Sequence, residues 1–245
     1  MTRKTRWVAG VSAVVVVVAA VAGFALWQVF GGDAPPPVAL TSLSASPSST
    51  ASGTSSGSGA GGNDGTWAVD TASGSLADGS STYAGYRVQE ELSGIGANTA
   101  VGRTQGVTGS MTIDGTTITD LEITVDMTTL ASDDDRRDNS LRERGLETDR
   151  FPTATFTLTQ PIEVGDVPKD GQTMEVTAVG DLTLHGVTKQ VSVPIQAQID
   201  GDRIQAIASI DVALSDYDIE APTGFLVLSI ADTGTIELHL LFEKA

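Results

Sequence analysis

The sequence predicts an all-β fold: an extended antiparallel β-barrel with a short helical crossing segment, preceded by one N-terminal transmembrane helix. Three observations predict it. Apolar and polar residues alternate with a period of two over most of the chain from Met111 onward. Glycine-containing pairs that favour tight turns separate the alternating stretches. One uncharged apolar run, long enough to span a membrane as a helix, lies near the N-terminus.

The apolar run comprises residues 7–30, and as a helix it would be about 36 Å long at 1.5 Å per residue. Three cations in residues 1–6 precede it, so this short N-terminus is predicted to be cytoplasmic and the rest of the chain to lie outside the plasma membrane. A cleaved signal peptide is the alternative, because residues 20–22 form a small-x-small site. Both interpretations place the rest of the chain outside the cytoplasm.

Residues 31–65 are rich in Ser, Gly and Pro and are predicted to be a disordered linker. A flexible chain of this length has a root-mean-square span of roughly 30 Å. Residues 66–245 are then one folded domain, long enough to bury a core without metals or crosslinks. The sequence contains no cysteine, so disulfides and thiolate chemistry are excluded.

The distribution of charge argues against nucleic acid as a partner. Three of the 14 Lys and Arg residues precede the apolar run, whereas all 31 Asp and Glu residues follow it. The part of the chain after the run therefore carries 11 cations against 31 acids, a formal charge of −20. Phosphate backbones and anionic lipid surfaces repel such a domain.

Five stretches show the alternation most clearly, and in each one face is apolar and the other polar, as in a sheet with one buried face. Their apolar residues are Leu121, Ile123, Val125, Met127; Met174, Val176, Ala178, Leu182, Leu184; Val191, Val193, Ile195, Ala197, Ile199; Ile204, Ala206, Ala208, Ile210, Val212, Leu214; and Ile236, Leu238, Leu240, Phe242. Turn signals are the pairs Asp114-Gly115, Asp170-Gly171, His185-Gly186 and Asp200-Gly201. Long consecutive strands favour an up-and-down barrel, and a β-sandwich is the alternative.

Residues 133–150 interrupt this pattern because they are dense in charge and lack β-branched runs. They are predicted to form a short helix or ordered loop that crosses one mouth of the barrel and ends before Phe151-Pro152. Five of the domain's cations lie here, and Arg136, Arg137 and Arg142 are candidates for contact with an anionic lipid head group. The alternative is local pairing with the more numerous acids of the same segment.

No catalytic or metal-binding constellation is found in the sequence, so no covalent chemistry, cofactor or metal is predicted. The two histidines are far apart: His185 is expected to have a structural role in a turn, and His239 to face outward from the last strand. No serine lies in a nucleophile-elbow context, and no glycine loop of the phosphate-binding kind is present. Asp133, Asp134 and Asp135 lack the ligand spacing of an EF-hand and are expected to be a solvated turn.

The interior of the barrel is the candidate ligand site. Many inward positions are small, so we predict an open pocket, although a barrel filled by its own side chains is the alternative. The large residues predicted to lie inward or at the mouth are Tyr86, Met127, Phe151, Phe156, Leu182, Leu184, Ile210, Phe225 and Phe242.

Four motifs, in order along residues 65 to 245, resemble those of the YceI-like family. They are Gly65-Thr66-Trp67-Ala68-Val69-Asp70; Val107-Thr108-Gly109; Arg137-Asp138 with Leu141 and Phe151-Pro152-Thr153-Ala154-Thr155-Phe156; and Gly180-Asp181-Leu182-Thr183-Leu184-His185-Gly186-Val187-Thr188-Lys189. The early strand of the family is weakly matched by residues 83–88, and the N-terminal anchor is not its common form. The resemblance implies an exported lipocalin-like barrel whose interior holds a polyisoprenoid or isoprenoid quinone.

The sequence therefore predicts a non-enzymatic protein, anchored at the outer face of the plasma membrane by a single span with its N-terminus inside. Its expected partners are the membrane and an apolar isoprenoid lipid, which it would carry or sequester. The alternative function is an extracytoplasmic stress or protein-interaction module with a filled barrel, and an unrecognised hydrolase is the third hypothesis.

Overall fold

Antiparallel strands account for most of the described chain. The computed structural model describes residues 34–40, 63–165, 170–224 and 226–245. Within these ranges the strands are β1 (Gly65–Val69), β2 (Tyr83–Leu92), β3 (Gly96–Thr104), β4 (Val107–Asp114), β5 (Thr117–Asp126), β6 (Ala131–Ser132), β7 (Thr153–Leu158), β8 (Ile162–Glu163), β9 (Thr173–Leu184), β10 (Val187–Asp200), β11 (Arg203–Ala213) and β12 (Val227–Lys244).

Several of these strands are collinear parts of one longer wall strand. β1 and β2 both pair with β12, Val69 opposite Phe242 and Tyr83 opposite His239, so they follow one another along the same edge. In the same way β3 and β4 pair with β2 and β1, and β6 continues β5 beside β3. β7 and β8 both pair with β5.

The sheet closes on itself because β12, which pairs with β11, also pairs with β1 and β2. Counting collinear strands together, the described wall has eight positions in up-and-down order, each hydrogen-bonded to the next. The prediction of a closed antiparallel barrel is confirmed, and the β-sandwich alternative is wrong.

Three of the four predicted turn signals lie at observed hairpins, and the fourth, Asp170-Gly171, directly precedes β9. His185 and Gly186 have φ values of 52° and 77°, the two positive angles that a type I′ turn needs to match the twist of β9 and β10. Gly115 and Gly201 supply positive φ values of 62° and 59° at the β4–β5 and β10–β11 turns. These residues therefore determine where the long strands reverse.

The crossing segment is helical, as predicted. Helix α1 (Asp135–Ser140) continues into a π-helical turn (Leu141–Gly145), and the Asp134 side chain caps α1 by accepting a hydrogen bond from the backbone N–H of Arg136. This segment and the β9–β10 turn lie at one end of the barrel, called here the helix end. The β4–β5 and β10–β11 turns lie at the other, the hairpin end.

The predicted membrane span, residues 7–30, lies outside the described residues. Among the described residues, no helix has both the length and the apolar character needed to cross a membrane. Residues 34–40 fall within the predicted linker, and they lie against the outer face of the barrel.

The alternating pattern directs one set of side chains into the barrel and the other outward. On β12, Leu240 and Phe242 are buried in the core, while His239 faces outward as predicted. The outward face is not exposed to solvent there, because the segment 70–82 covers it and leaves His239 with 0% exposure. The ring nitrogens of His239 contact the carbonyl oxygen of Ser81 at 2.7 Å and the side-chain amide of Gln205 at 2.6 Å.

Candidate functional site

An apolar cavity in two lobes runs along the inside of the barrel. The lobe nearer the hairpin end has a volume of about 120 Å³ and the lobe nearer the helix end about 160 Å³. On this measure one water needs roughly 10–15 Å³, so each lobe is far larger than a packing defect. The polar residues along the lining are Asn63, Tyr86, Arg87, Thr104, Thr116 and Thr155, and the guanidinium of Arg87 lies on the outer wall, where it pairs with Glu237.

A waist of shared side chains joins the two lobes. Phe156 on β7 is its largest member, and its ring lies across Gly180 of β9, where a Cβ atom would come 2.5 Å from Cζ of Phe156. Glycine at position 180 therefore leaves the space in which this ring lies against the wall. The residues that line both lobes are Ile123, Phe156, Leu182, Ile236 and Leu238.

Small side chains on β10 and β11 keep the hairpin lobe open. Ala197, Ala206 and Ala208 line it where larger residues would meet across the barrel. The interior is thus only partly filled by the protein's own side chains, which contradicts the alternative of a solid barrel. An apolar void of this kind stays dry and favours apolar ligands.

The structure brings together most of the residues predicted to form the pocket. Of these, Leu182 and Phe156 lie at the waist, Ile210 and Phe242 line the hairpin lobe, and Tyr86, Met127 and Leu184 line the helix lobe. Phe151 is not part of the lining: its ring packs on that of His185 with a centroid distance of 4.4 Å. Phe225 lies outside the described residues.

The helix end of the cavity is covered by apolar side chains of two connections. Leu141 and Leu146 come from the π-helical turn and its end, and Ile219 and Pro222 from the connection between β11 and β12. These connections are pinned through His185, whose Nδ1 contacts the carbonyl oxygen of Tyr217 at 3.0 Å and whose Nε2 contacts the Glu147 carboxylate at 3.0 Å. His185 therefore has the structural role that was predicted.

Two of the three candidate head-group arginines are paired with acids. Arg137 is mostly buried and binds the carboxylates of Asp133 and Glu90, the latter at 2.9 Å. Arg136 pairs with Asp134 at 3.3 Å. Arg142 is exposed on the π-helical turn. Local pairing, the alternative to head-group binding, is thus observed for Arg136 and Arg137, and a head-group contact by any of the three stays a prediction.

Tyr86 connects the arginine cluster to the cavity. It lines the helix lobe, and its hydroxyl is buried near Arg137 without a hydrogen-bond partner among the described residues. Burial raises the pKa of Tyr86 well above its ordinary value, so the phenol stays protonated and can act only as a neutral donor or acceptor. Among the described residues, no group of three or more His, Cys, Asp or Glu is arranged to hold a metal ion.

Sequence reasoning missed two buried carboxylates. Glu90 is 6% exposed and Glu237 is 1% exposed. Glu237 lies between Ile236 and Leu238, as a solvated residue of an alternating strand would, whereas Glu90 lies in the polar run Gln89-Glu90-Glu91. Glu237 is paired on the outer wall with Arg87 and Arg103. Sequence reasoning could not reveal these pairs, because the arginines that neutralise each carboxylate are distant in sequence and lie on other strands or on α1.

The fold and cavity define a class: an up-and-down antiparallel β-barrel whose hollow, apolar interior can enclose a ligand. A family model for the YceI-like domain matches residues 67–242. The chain therefore belongs to the YceI-like family.

Curated relatives agree with this membership. The chain is 29% identical to Protein YceI of Shigella flexneri over 156 residues, which is 60% of this chain and 75% of that protein. It is 28% identical to a UPF0312 protein of Vibrio vulnificus over 159 residues, 61% of this chain and 77% of that protein.

Solved structures show the same fold at lower identity. A polyisoprenoid binding domain from Saccharophagus degradans, implicated in plant cell wall breakdown, is 17% identical with a TM-score of 0.56, covering 73% of this chain and 98% of that one. BcnA of Burkholderia cenocepacia is 18% identical with a TM-score of 0.52, covering 71% of this chain and 98% of that one.

Proposed function

We propose that this protein binds an apolar isoprenoid lipid, of the polyprenyl or quinone type, inside its barrel and carries or sequesters it without covalent chemistry. The observation that carries the proposal is the two-lobed apolar cavity. The Saccharophagus degradans domain, whose fold this chain shares, is described as polyisoprenoid binding, and that supports this ligand class.

The shape of the cavity suits a long, narrow hydrocarbon. β9 has 12 residues and so extends over roughly 40 Å at 3.3–3.4 Å per residue, and the lobes follow the barrel on both sides of the waist. Transfer of an apolar tail from water into such a space is favourable by about 25 cal/mol per Å² of buried surface. An extended chain can pass the waist and fill both lobes, whereas a wide, rigid ligand is confined to one.

Charge favours a neutral head group over a phosphate at the helix end. Arg136 and Arg137 are already neutralised by acids, and the part of the chain after residue 30 carries a formal charge of −20. The hydroxyl of Tyr86 is a buried polar group without a partner among the described residues, and leaving such a group unsatisfied costs about 1–3 kcal/mol. A carbonyl or hydroxyl oxygen of the lipid that reached it would recover part of this free energy.

We place this activity at the outer face of the plasma membrane, on the basis of the predicted N-in span at residues 7–30. An anchored barrel would exchange ligand with the bilayer beside it. The predicted location is independent of the cavity, so each can fail without the other.

The test compares two tryptophan substitutions at adjacent positions of β10. Val193 is buried and lines the hairpin lobe, whereas Ser192 is exposed on the outer face of the same strand. Full-length protein is purified without added lipid, extracted with organic solvent, and the extract is quantified by mass spectrometry. We expect a near-stoichiometric isoprenoid lipid in the unsubstituted protein and in Ser192→Trp, and several-fold less in Val193→Trp. A lipid-free extract from the unsubstituted protein, or equal lipid in both variants, would refute the proposal.

A further inference from the structure

Residues 34–40 lie on the outer wall of the barrel, although their composition predicted a free linker. The Arg87 guanidinium donates to the carbonyl oxygen of Pro35 at 2.7 Å, and that of Arg103 donates to the carbonyl oxygen of Pro36 at 2.8 Å. The backbone N–H of Val38 donates to the Glu237 carboxylate at 3.3 Å. Three polar contacts thus attach Pro35, Pro36 and Val38 to three neighbouring strands, β2, β3 and β12.

The wall beneath this segment is organised around one buried carboxylate. Glu237 is 1% exposed, and its oxygens lie 3.2 Å from Arg87 Nε and 3.8 Å from Arg103 Nη2. The guanidinium of Arg103 also lies 4.5 Å from the ring centroid of Tyr83, which holds it in place. Glu237 therefore orients both guanidinium groups toward the segment and accepts a hydrogen bond from it directly.

Proline suits the segment to this surface. Residues 35–37 are three consecutive prolines, whose fixed φ favours an extended polyproline conformation with solvent-facing carbonyl oxygens and no N–H groups. Such a chain loses little conformational entropy when it binds. Guanidinium groups are strong donors to the carbonyl oxygens that it presents.

We propose that residues 34–38 form a strap that docks on the outer wall through Arg87, Arg103 and Glu237 and holds the barrel close to the segment that precedes it. Three residues, 31–33, then separate the end of the predicted span from the strap. They reach at most about 10–15 Å, compared with the span of roughly 30 Å for a free linker. The docking stands by itself, and the short distance to the bilayer rests on the membrane location proposed above.

The strap meets the barrel in the half nearer the helix end. Arg87 is opposite Thr235 on β12, two residues from Thr233, where the pairing of β12 with β11 ends. A barrel held there keeps the helix lobe near the bilayer, whereas the free linker would let it rotate and move away. The linker after the strap no longer sets the position of the barrel.

The test measures whether the strap is docked in the full-length chain. Because the sequence has no cysteine, spin labels attach only at introduced positions, here Ala39→Cys and Ser192→Cys on the exposed face of β10. Pulsed electron–electron double resonance on protein in lipid nanodiscs is expected to give a single narrow distribution of the distance between the two spin labels. A broad distribution, spreading over a range on the order of 30 Å as for a free linker, would overturn the proposal.

Two sets of variants show which contacts are responsible. Replacing Pro35, Pro36 and Pro37 by glycine leaves the barrel wall unchanged, and the double substitution Arg87→Ala with Arg103→Ala removes the donors. Both are expected to broaden the distribution several-fold, while Arg203→Ala, whose guanidinium contacts Ser73 instead, leaves it narrow. A narrow distribution that survives the loss of both arginines would refute the proposed strap, and one that survives the glycine replacement would refute the contribution of the prolines.

The membrane part is tested separately by energy transfer from a dye at Ser192→Cys to labelled lipid head groups. Strong transfer that falls in the glycine variant is expected if the strap holds the barrel at the bilayer. Equal transfer in both proteins would overturn this role of the strap. A docked strap with no membrane association at all would refute the proposed location and leave the lipid cavity unaffected.

Discussion

At the scale of single residues, the proposed function depends on how side chains divide between the cavity and the layers outside it. Phe156 and Gly180 illustrate the inward side, because the absence of a side chain at one position leaves room for the ring at the other. Glu90 and Arg137 show instead how a buried ion pair attaches the crossing segment to the wall. This pair attaches α1 to β2. The two side chains are 3% and 13% exposed, so neither charge is accessible to a ligand in solution.

We predict that Arg137 acts mainly through this ion pair. Arg137→Ala leaves the Glu90 carboxylate buried with Asn98 as its remaining donor, and we expect a loss of about 3 kcal/mol in the free energy of unfolding. Glu90→Gln should cost less, and the double variant should lose less than the sum of both, as measured by urea unfolding. Arg144→Ala, which removes an exposed side chain bonded to Ser140, is the control and should change stability by less than about 0.5 kcal/mol.

Ligand binding by the same variant separates the structural role from head-group recognition. We expect Arg137→Ala to change the affinities for a prenyl quinone and a prenyl phosphate by the same factor. A selective loss of phosphate binding would contradict the structural role and favour the predicted head-group contact. Additive stabilities in the double-mutant cycle would argue against the pair in the same way.

At the scale of elements, the segment 70–82 covers the outer face of β12 and creates a second buried layer. Asp70 organises its start by accepting the backbone N–H groups of Ala72 and Ser73, and Thr82 donates to the carbonyl oxygen of Asp70. The carbonyl oxygen of Ser81 then contacts His239. This histidine is therefore the point at which the segment is attached to the wall.

We predict that His239 makes stability dependent on pH between 7 and 5.5. Burial holds its pKa below the ordinary value of about 6.5, so the unfolded chain binds this proton more readily than the folded protein. Stability is then full above pH ~6.5 and decreases as the pH falls below it, by up to about 1 kcal/mol at pH 5.5. The lowered pKa values of Asp70 and Asp134 matter only below about pH 4.

Urea unfolding of the full-length chain at several pH values measures this effect, with circular dichroism to follow the strands. His239→Gln keeps donor and acceptor groups at the position and cannot be protonated, so its stability should fall less over the same interval. His185 is present in both proteins, and its contribution cancels in the difference. Identical pH profiles would show that His239 does not determine the dependence.

The sequence predicted elements well where the determining information is local. Alternation identified β5 and β9 to β12, and paired turn residues such as His185-Gly186 identified their ends. The interruption of one wall strand into β1 and β2 was not predictable in this way. It depends on both pairing with β12, about 160 residues away, and on the excursion between them folding over the outer face.

The same distinction explains which site residues were predicted. Successive side chains of a strand point to opposite faces, so the inward positions follow from the sequence alternation. Leu182, Ile210 and Phe242 were therefore assigned to the interior correctly. Phe151 follows the crossing segment, where there is no strand alternation to predict its direction, and it packs on His185 instead. The burial of Glu237 was not visible because its cover comes from the strap and its partners from other strands.

At the scale of the whole molecule, two opposing properties meet in a protein proposed to work at a membrane. The cavity favours apolar lipid, whereas the formal charge of −20 after residue 30 repels anionic bilayers. The exposed arginines Arg142 and Arg150 at the helix end are too few to reverse this balance, and Arg150 is itself paired with Glu147. The approach of the barrel to a bilayer should therefore be governed by electrostatic repulsion, and the retention of the lipid by apolar contact.

We predict that salt accelerates uptake of a prenyl quinone from anionic vesicles. Raising the ionic strength from 0.01 to 0.1 M shortens the screening length from about 30 to about 10 Å, and we expect the uptake rate to rise about 3- to 10-fold. The measurement uses full-length protein in zwitterionic nanodiscs and donor vesicles that carry a fluorescent quinone analogue. Zwitterionic donor vesicles are the control and should show little dependence on salt, because no net surface charge is screened. Slower uptake at high salt would instead mean that the exposed arginines at the helix end attract the bilayer, and that this local patch, not the net charge, governs the encounter.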